Sequence, residues 1–197
     1  MIDRALLFLR DQLNEHLARG GGGAAAGLED VVSFVDGDKL DPLTLKNGAI
    51  SLLLVNLEQD TVMRRDDPFV RLLPDGTTAR AAPEVRLNLW VLFVARFRVY
   101  EAGLAALSSV LAYFQARPLF DQRSAPALDP GIERLAIELK TLPLNEQNDL
   151  WSALRIAYHP SLLFRVRMVA VQASETPAGP PVSEPRRELA HADPSAP

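Results

Sequence analysis

From Met1 to Arg19 the apolar residues Ile2, Leu6, Leu9, Leu13 and Leu17 recur at steps of three and four, which places them on one stripe of an amphipathic helix. The stripe runs out in Gly20 to Gly23 and Ala24 to Gly27, a low-complexity stretch expected to be a flexible connector. Val31, Val32, Phe34 and Val35 then precede an Asp36-Gly37 turn signal. Asn47-Gly48 opens the next run, Ala49 to Leu57, which is apolar on both faces and predicts an interior strand. The polar stretch Glu58 to Asp67, followed by Pro68, Pro74, Asp75-Gly76 and Pro83, predicts a long loop or a short exposed hairpin.

Val85 to Phe97 is the most informative strand. Val85, Leu87, Leu89, Val91, Phe93 and Phe97 point one way, while Trp90, Leu92 and Val94 point the other, so its middle is covered on both faces. Arg86 and Asn88 at one end, and Arg96 and Arg98 at the other, mark where the second face emerges into water. Tyr100, Leu104, Leu107, Leu111 and Phe114 follow at helical spacing, with Pro118 just past the end. Leu135, Ile137 and Leu139 alternate with Arg134, Glu138 and Lys140, as in a strand with one wet face. Pro143 starts a short polar helix carrying Glu146, Asp149, Leu150, Trp151 and Leu154, with Asn145 as its expected cap. The last strand, Leu162 to Val171, alternates Phe164, Val166 and Met168 with Arg165, Arg167 and Val169. After Ala173 come six of the fifteen prolines, in a composition that cannot offset its ordering entropy. The expected fold class is α/β (α+β): one domain over residues 1–172, a mixed β-sheet flanked by helices, and a disordered tail over residues 173–197.

Composition narrows the chemistry. With 48% hydrophobic and 23% charged residues among 197, the chain has material for one sizeable core. A net charge of −4 supplies no pull toward phosphate backbones or anionic lipid, so nucleic acid and membrane are not expected partners. The absence of cysteine excludes disulfides, thiolate metal sites and cysteine nucleophiles. Asp3, Arg4, Arg10, Asp11 and Glu15 break up the opening stretch, which therefore does not read as a secretory signal. No segment reaches the roughly 18 apolar residues of a membrane span, and folding in the cytoplasm is expected.

Reactive constellations are missing from the pattern. His16, His159 and His191 have no sequence reason to converge, and Ser108 and Ser109 lie inside a helix without a nucleophile elbow. Asp36, Asp38 and Asp41 fall at turn spacing without the terminal glutamate of a calcium loop. An enzyme would need them to converge with Asp66 or Asp67 on one metal. No catalytic, cofactor or metal residue is assigned, and no small-molecule substrate. Arg64-Arg65 is cancelled by Asp66-Asp67, which suits a solvated loop or a protein-contact loop and not a basic nucleic-acid patch. Tyr100, Tyr113 and Phe114 at helical spacing read as core. Arg165 and Arg167 either keep a strand edge soluble or mark an edge that pairs with a chosen partner strand.

A set of short phrases adds what patterning does not. Met-Ile-x-x-Ala-Leu-x-Phe-Leu at the start, Leu53 to Glu58, Leu87 to Phe93, Tyr100 with Leu104, Leu107-Ser108, Phe114-Gln115, Trp151, and Tyr158-His159-Pro160-Ser161 leading into Val166-Arg167-Met168 follow one another in a specific order. Together, from Met1 to about Val171, they resemble the cap, or tail-terminator, proteins of phage-tail-like contractile injection systems, related to antifeeding prophages and Photorhabdus virulence cassettes. The resemblance implies a structural protein without bond-breaking chemistry, a homo-hexameric ring that ends the inner tube and anchors the last sheath layer. It implies the tube protein and the sheath protein as partners, and a cytoplasmic assembly stage before the particle is used inside the cell or released. Under it, the loop Glu58 to Pro83, with Arg64, Arg65, Asp66 and Asp67, and the strand with Arg165 and Arg167 are expected to make ring or sheath contacts, the strand by main-chain pairing. An adaptor or baseplate-type module of the same particle that terminates nothing is the alternative.

Overall fold

The structure, a computed structural model, describes residues 1–21, 31–35, 43–60, 70–72, 78–80 and 85–170. The opening stripe forms helix α1, Ile2–His16, and buries Ala5, Leu6, Phe8, Leu9 and Leu13. It does not stop at the first glycine: a π-helical turn, Leu17–Gly21, carries it on and keeps Leu17 fully buried. Strand β1, Val32–Phe34, follows, and β2, Ala49–Gln59, lies parallel to it with Val32 opposite Ile50. A parallel pair needs a long crossover, so β1 and β2 are not a hairpin. Gly48, at φ 77°, takes the left-handed turn that opens β2, and its N–H donates to the Arg96 carbonyl at 2.6 Å.

Strands β3, Val70–Leu72, and β4, Thr78–Arg80, pair antiparallel, realising the hairpin alternative for that region. Strand β5, Val85–Arg96, leads into helix α2, Tyr100–Ala116, and a short β6, Leu119–Asp121. Strand β7, Ile132–Lys140, helix α3, Leu144–Leu154, and strand β8, Ser161–Ala170, complete the described body. The N-cap of α3 is Pro143, with no side-chain cap bond, so Asn145 is not the cap: it already lies inside the first turn.

The main sheet has six strands in the order β1-β2-β5-β8-β7-β6, all antiparallel neighbours except β1 and β2. Its first face carries Ile50, Leu52, Leu89, Val91, Phe93, Phe164, Val166, Met168, Leu135 and Ile137 under α1 and α2. Phe93 meets Phe164 edge to face at 5.7 Å between ring centroids, and Phe114 of α2 closes the group. The second face packs Leu92, Val94 and Leu163 against Trp151 of α3 and against Leu43 and Leu45. The alternation read from β5 is therefore real, with a helical layer on both sides of its C-terminal half.

Helix α2 is turned relative to the expected stripe. Gly103, Ala106, Leu107, Val110, Tyr113 and Phe114 are buried, whereas Tyr100 is 66% and Leu104 40% exposed. Small residues decide this: a Cβ on Gly103 would stand 3.4 Å from Phe97 Cδ2 and 3.6 Å from Ala95 Cβ, so the helix lies on the sheet along its smallest side chains. Strand β2 is interior only at its start, because β1 covers it from Ile50 to Leu52. An irregularity between Leu54 and Asn56 lets Val55 pass without a partner and sets Asn56 opposite Trp90.

Candidate functional site

Helix α3 sits over one end of the second sheet face, and the other end is paved by polar side chains from four neighbouring strands. The register sets Asn56, Trp90, Arg165 and Glu138 in one row across β2, β5, β8 and β7. The next row holds Glu58, Asn88, Arg167 and Ala136, and beyond it Arg134 stands opposite Val169. Alternation requires these residues to share a face, since their neighbours Leu135, Val166 and Met168 fill the core.

Glu138 is the charge hub. Lys140 Nζ donates to Oε1 at 2.5 Å and Arg165 Nη2 donates to Oε2 at 2.6 Å. Those hydrogen bonds, Lys140 first, lower the carboxyl from its ordinary value to about 2. Arg165 Nε, Trp90 Nε1 and Asn88 Oδ1 are buried without hydrogen-bond partners. Arg167 and Arg134 are exposed, and neither makes an ion pair among the described residues.

The expected interface residues separate. Arg64, Arg65, Asp66 and Asp67 lie outside the described residues, as do Asp36, Asp38 and Asp41. Arg165 and Arg167 share a face, but Arg165 is engaged by Glu138 and Arg167 is not. Main-chain pairing by β8 is ruled out, because β5 and β7 hydrogen-bond along its two sides. Among the described residues, one strand edge with no partner strand is the outer side of β2 beyond Leu52, where Leu54 and Leu57 are partly exposed, and another is the outer side of β6 at the far end of the sheet. The neighbouring edge, β1, is closed differently: Asn14 of α1 accepts from Val32 N–H at 2.7 Å and donates to Val32 O at 2.9 Å, as a strand neighbour would.

Other candidates for chemistry are individually engaged. Ser108 and Ser109 donate to the Leu104 and Ala105 carbonyls one turn back. His16 packs on Tyr113 with ring centroids 4.8 Å apart, and His159 Nδ1 lies 2.8 Å from the Ala157 carbonyl. Among the described residues, no three of His, Asp or Glu gather in a way that would hold a metal. No helix among them is long and apolar enough to cross a membrane.

The family described as the Pvc16 N-terminal domain matches residues 6–184, and the chain belongs to it. Among solved structures, the sheath/tube terminator of an extracellular contractile injection system, PVC, in its extended state is similar at TM-score 0.60 and 15% identity, over 100% of this chain and 65% of that one. The chain thus spans just under two thirds of the terminator's length, and the likeness is one of fold. The tube-terminating cap of the anti-feeding prophage is similar at TM-score 0.47 and 16% identity, over 68% of this chain and 47% of that one. None of the curated proteins compared with the chain matches it.

Proposed function

We propose that this chain is the terminator domain of a contractile injection particle: copies of it form a ring of six that stops growth of the inner tube and holds the last layer of sheath. The observation that carries the reading is the match over residues 6–184 to the Pvc16 N-terminal domain family, whose fold this chain shares across its full length with a sheath/tube terminator. The engaged histidines and serines, and a sheet face bearing exposed arginines, suit docking and not turnover. Ring closure requires each copy to present two different patches, one met by each neighbour.

Under this reading residues 1–172 are the assembling body and 173–197 an appended tail. Arg167 supplies a side-chain contact, and Arg64, Arg65, Asp66 and Asp67 remain the loop contacts of the proposal. Main-chain pairing with a partner belongs at the β2 edge, one of the two sheet edges among the described residues where a strand can still be added. Assembly takes place in the cytoplasm, and the finished particle that carries the protein acts inside the cell or is released. Deleting the gene tests the reading: particles with overlong or unstable tubes support it, whereas particles of unchanged length that lose one component point to the adaptor role.

A further inference from the structure

We propose that the ring closes through a charge-matched contact between the arginine face at the β7–β8 end of one copy, Arg134 and Arg167, and the acidic outer side of α3 on the next, Glu146 and Asp149. The inference rests on the ring reading and names its interface. Arg134 and Arg167 are diagonal neighbours on adjacent antiparallel strands, a relationship that puts Cβ atoms roughly 7–8 Å apart. Arg165 lies two residues from Arg167 along β8, and the residue directly opposite Arg167 on β7 is the small Ala136. Glu138 is already held by Lys140 and Arg165, and neither Arg134 nor Arg167 makes an ion pair among the described residues.

The complementary surface is on the same chain. Helix α3, Leu144–Leu154, contains no basic residue, and Glu146 and Asp149, three positions apart, lie on neighbouring parts of its exposed side. Neither makes an ion pair among the described residues. Leu144, 84% exposed in the same first turn as Glu146, adds an apolar knob of the kind an interface covers. Both patches belong to the second sheet face but to opposite ends of it: α3 is packed over Leu92, Val94 and Leu163, and the arginines lie toward Ala170. A patch and a counter-patch at two ends of one face meet only between copies, and a contact between two different patches is the heterologous kind from which rotational rings are built. Guanidinium groups bind carboxylates in a bidentate fork, which sets orientation as well as attraction.

The chain's lack of cysteine makes the contact directly readable. Full-length chains carrying Arg167→Cys and Asp149→Cys are mixed, assembled into particles and oxidised. The expected result is a disulfide-linked pair of one chain of each kind, well above the product from either chain alone. In parallel, Arg134→Glu/Arg167→Glu and Glu146→Arg/Asp149→Arg chains are each expected to lose about tenfold or more in incorporation, and their mixture, or all four changes in one chain, to recover it. Circular dichroism verifies that each variant is folded. Wild-type incorporation of either folded charge-reversed chain, or failure of the swapped pair to recover, overturns the contact. If six-copy rings persist without the mixed disulfide, this interface is wrong and the ring reading stands. If no two copies touch in the particle, the ring reading falls with it.

Discussion

Arg165 and Glu138 face each other across β8 and β7, with the guanidinium Nη2 donating to the carboxylate Oε2 at 2.6 Å, while Lys140 binds the other oxygen from the same strand as Glu138. A carboxylate with two cationic donors is stabilised in its charged form, and its pKa in the folded chain is held near 2. Because the folded value is depressed, the linked stability is fully present above the ordinary carboxylate range and is lost as pH falls from about 4.5 toward about 2. Glu138 is 41% exposed, so solvent screening reduces the effect to about 1 kcal/mol. Glu138→Gln is therefore expected to lower unfolding free energy by about 1 kcal/mol at pH 7, and the gap from wild type to shrink below about pH 4.5 and close near about pH 2. Denaturant titrations of both chains at several pH values check this; a gap independent of pH contradicts it.

Asn14 acts at the opposite end of the sheet. Its side-chain amide completes both main-chain groups of Val32, which is itself fully buried. Asn14→Ala leaves a buried N–H and a buried C=O without partners, a loss expected to cost about 2 kcal/mol. Asn14→Asp keeps the acceptor but removes the donor, and should cost less than the alanine change in thermal or denaturant unfolding. Equal costs would show that the two bonds do not share the load.

These particulars show which parts of the molecule were legible in the sequence. Helices α1 and α2 and strands β5, β7 and β8 were visible because their apolar residues repeat at the helical or strand period over many residues. The short β6 was not, since three residues set no period. The roll of α2 was misread because hydrophobicity favours Tyr100 and Leu104, whereas close packing favours Gly103 and Ala106; only the sheet beneath decides between them. The position of β8 was also invisible. Alternating arginines look the same on an edge strand and on an inner strand whose second face is bare, and strand order is a long-range property. The Glu138 hub had a weak local trace in Glu138 and Lys140, two apart on one strand, but Arg165 joins it only through register.

The packing of α2 makes its own prediction. At 3.4 to 3.7 Å, the atoms around Gly103 leave a methyl group in ordinary contact, and the residue sits in a helix with a non-positive φ. Gly103→Ala should then stabilise the fold by about 0.5 kcal/mol through the unfolded chain's lost freedom. Gly103→Leu must push α2 off Phe97 and Ala95 and should destabilise by about 1–3 kcal/mol. Melting curves of the two variants should move in opposite directions; a shared direction would place the helix further from, or closer to, the sheet than described.

Phe93 tests the core of the same layer. It is fully buried, edge to face with Phe164 and tilted against Phe114 at 5.8 Å. Truncation removes both ring contacts and leaves a cavity under α2, so Phe93→Ala is expected to cost about 3–5 kcal/mol. Leu57, 45% exposed on the uncovered part of β2, should tolerate Leu57→Ser with a change of about 0.5 kcal/mol or less. Chemical denaturation of both chains gives the comparison, and a small loss at Phe93 would mean that the aromatic group is not the centre of the core.

The last prediction separates holding the fold from docking, using two arginines two positions apart. Arg165 is tied to Glu138 inside the sheet face, so Arg165→Glu sets two carboxylates opposite each other and should cost about 2 kcal/mol in stability. Arg167 is exposed with Ala136 opposite it on β7, so Arg167→Glu should leave unfolding free energy within about 0.5 kcal/mol of wild type. If Arg167 serves contacts with other subunits, that stable variant is the one whose particles should be miscapped, measured as a broadened tube-length distribution in electron micrographs. Normal particle lengths with a fully folded Arg167→Glu chain would remove Arg167 from the docking surface and leave Arg165 and Glu138 as a purely internal brace.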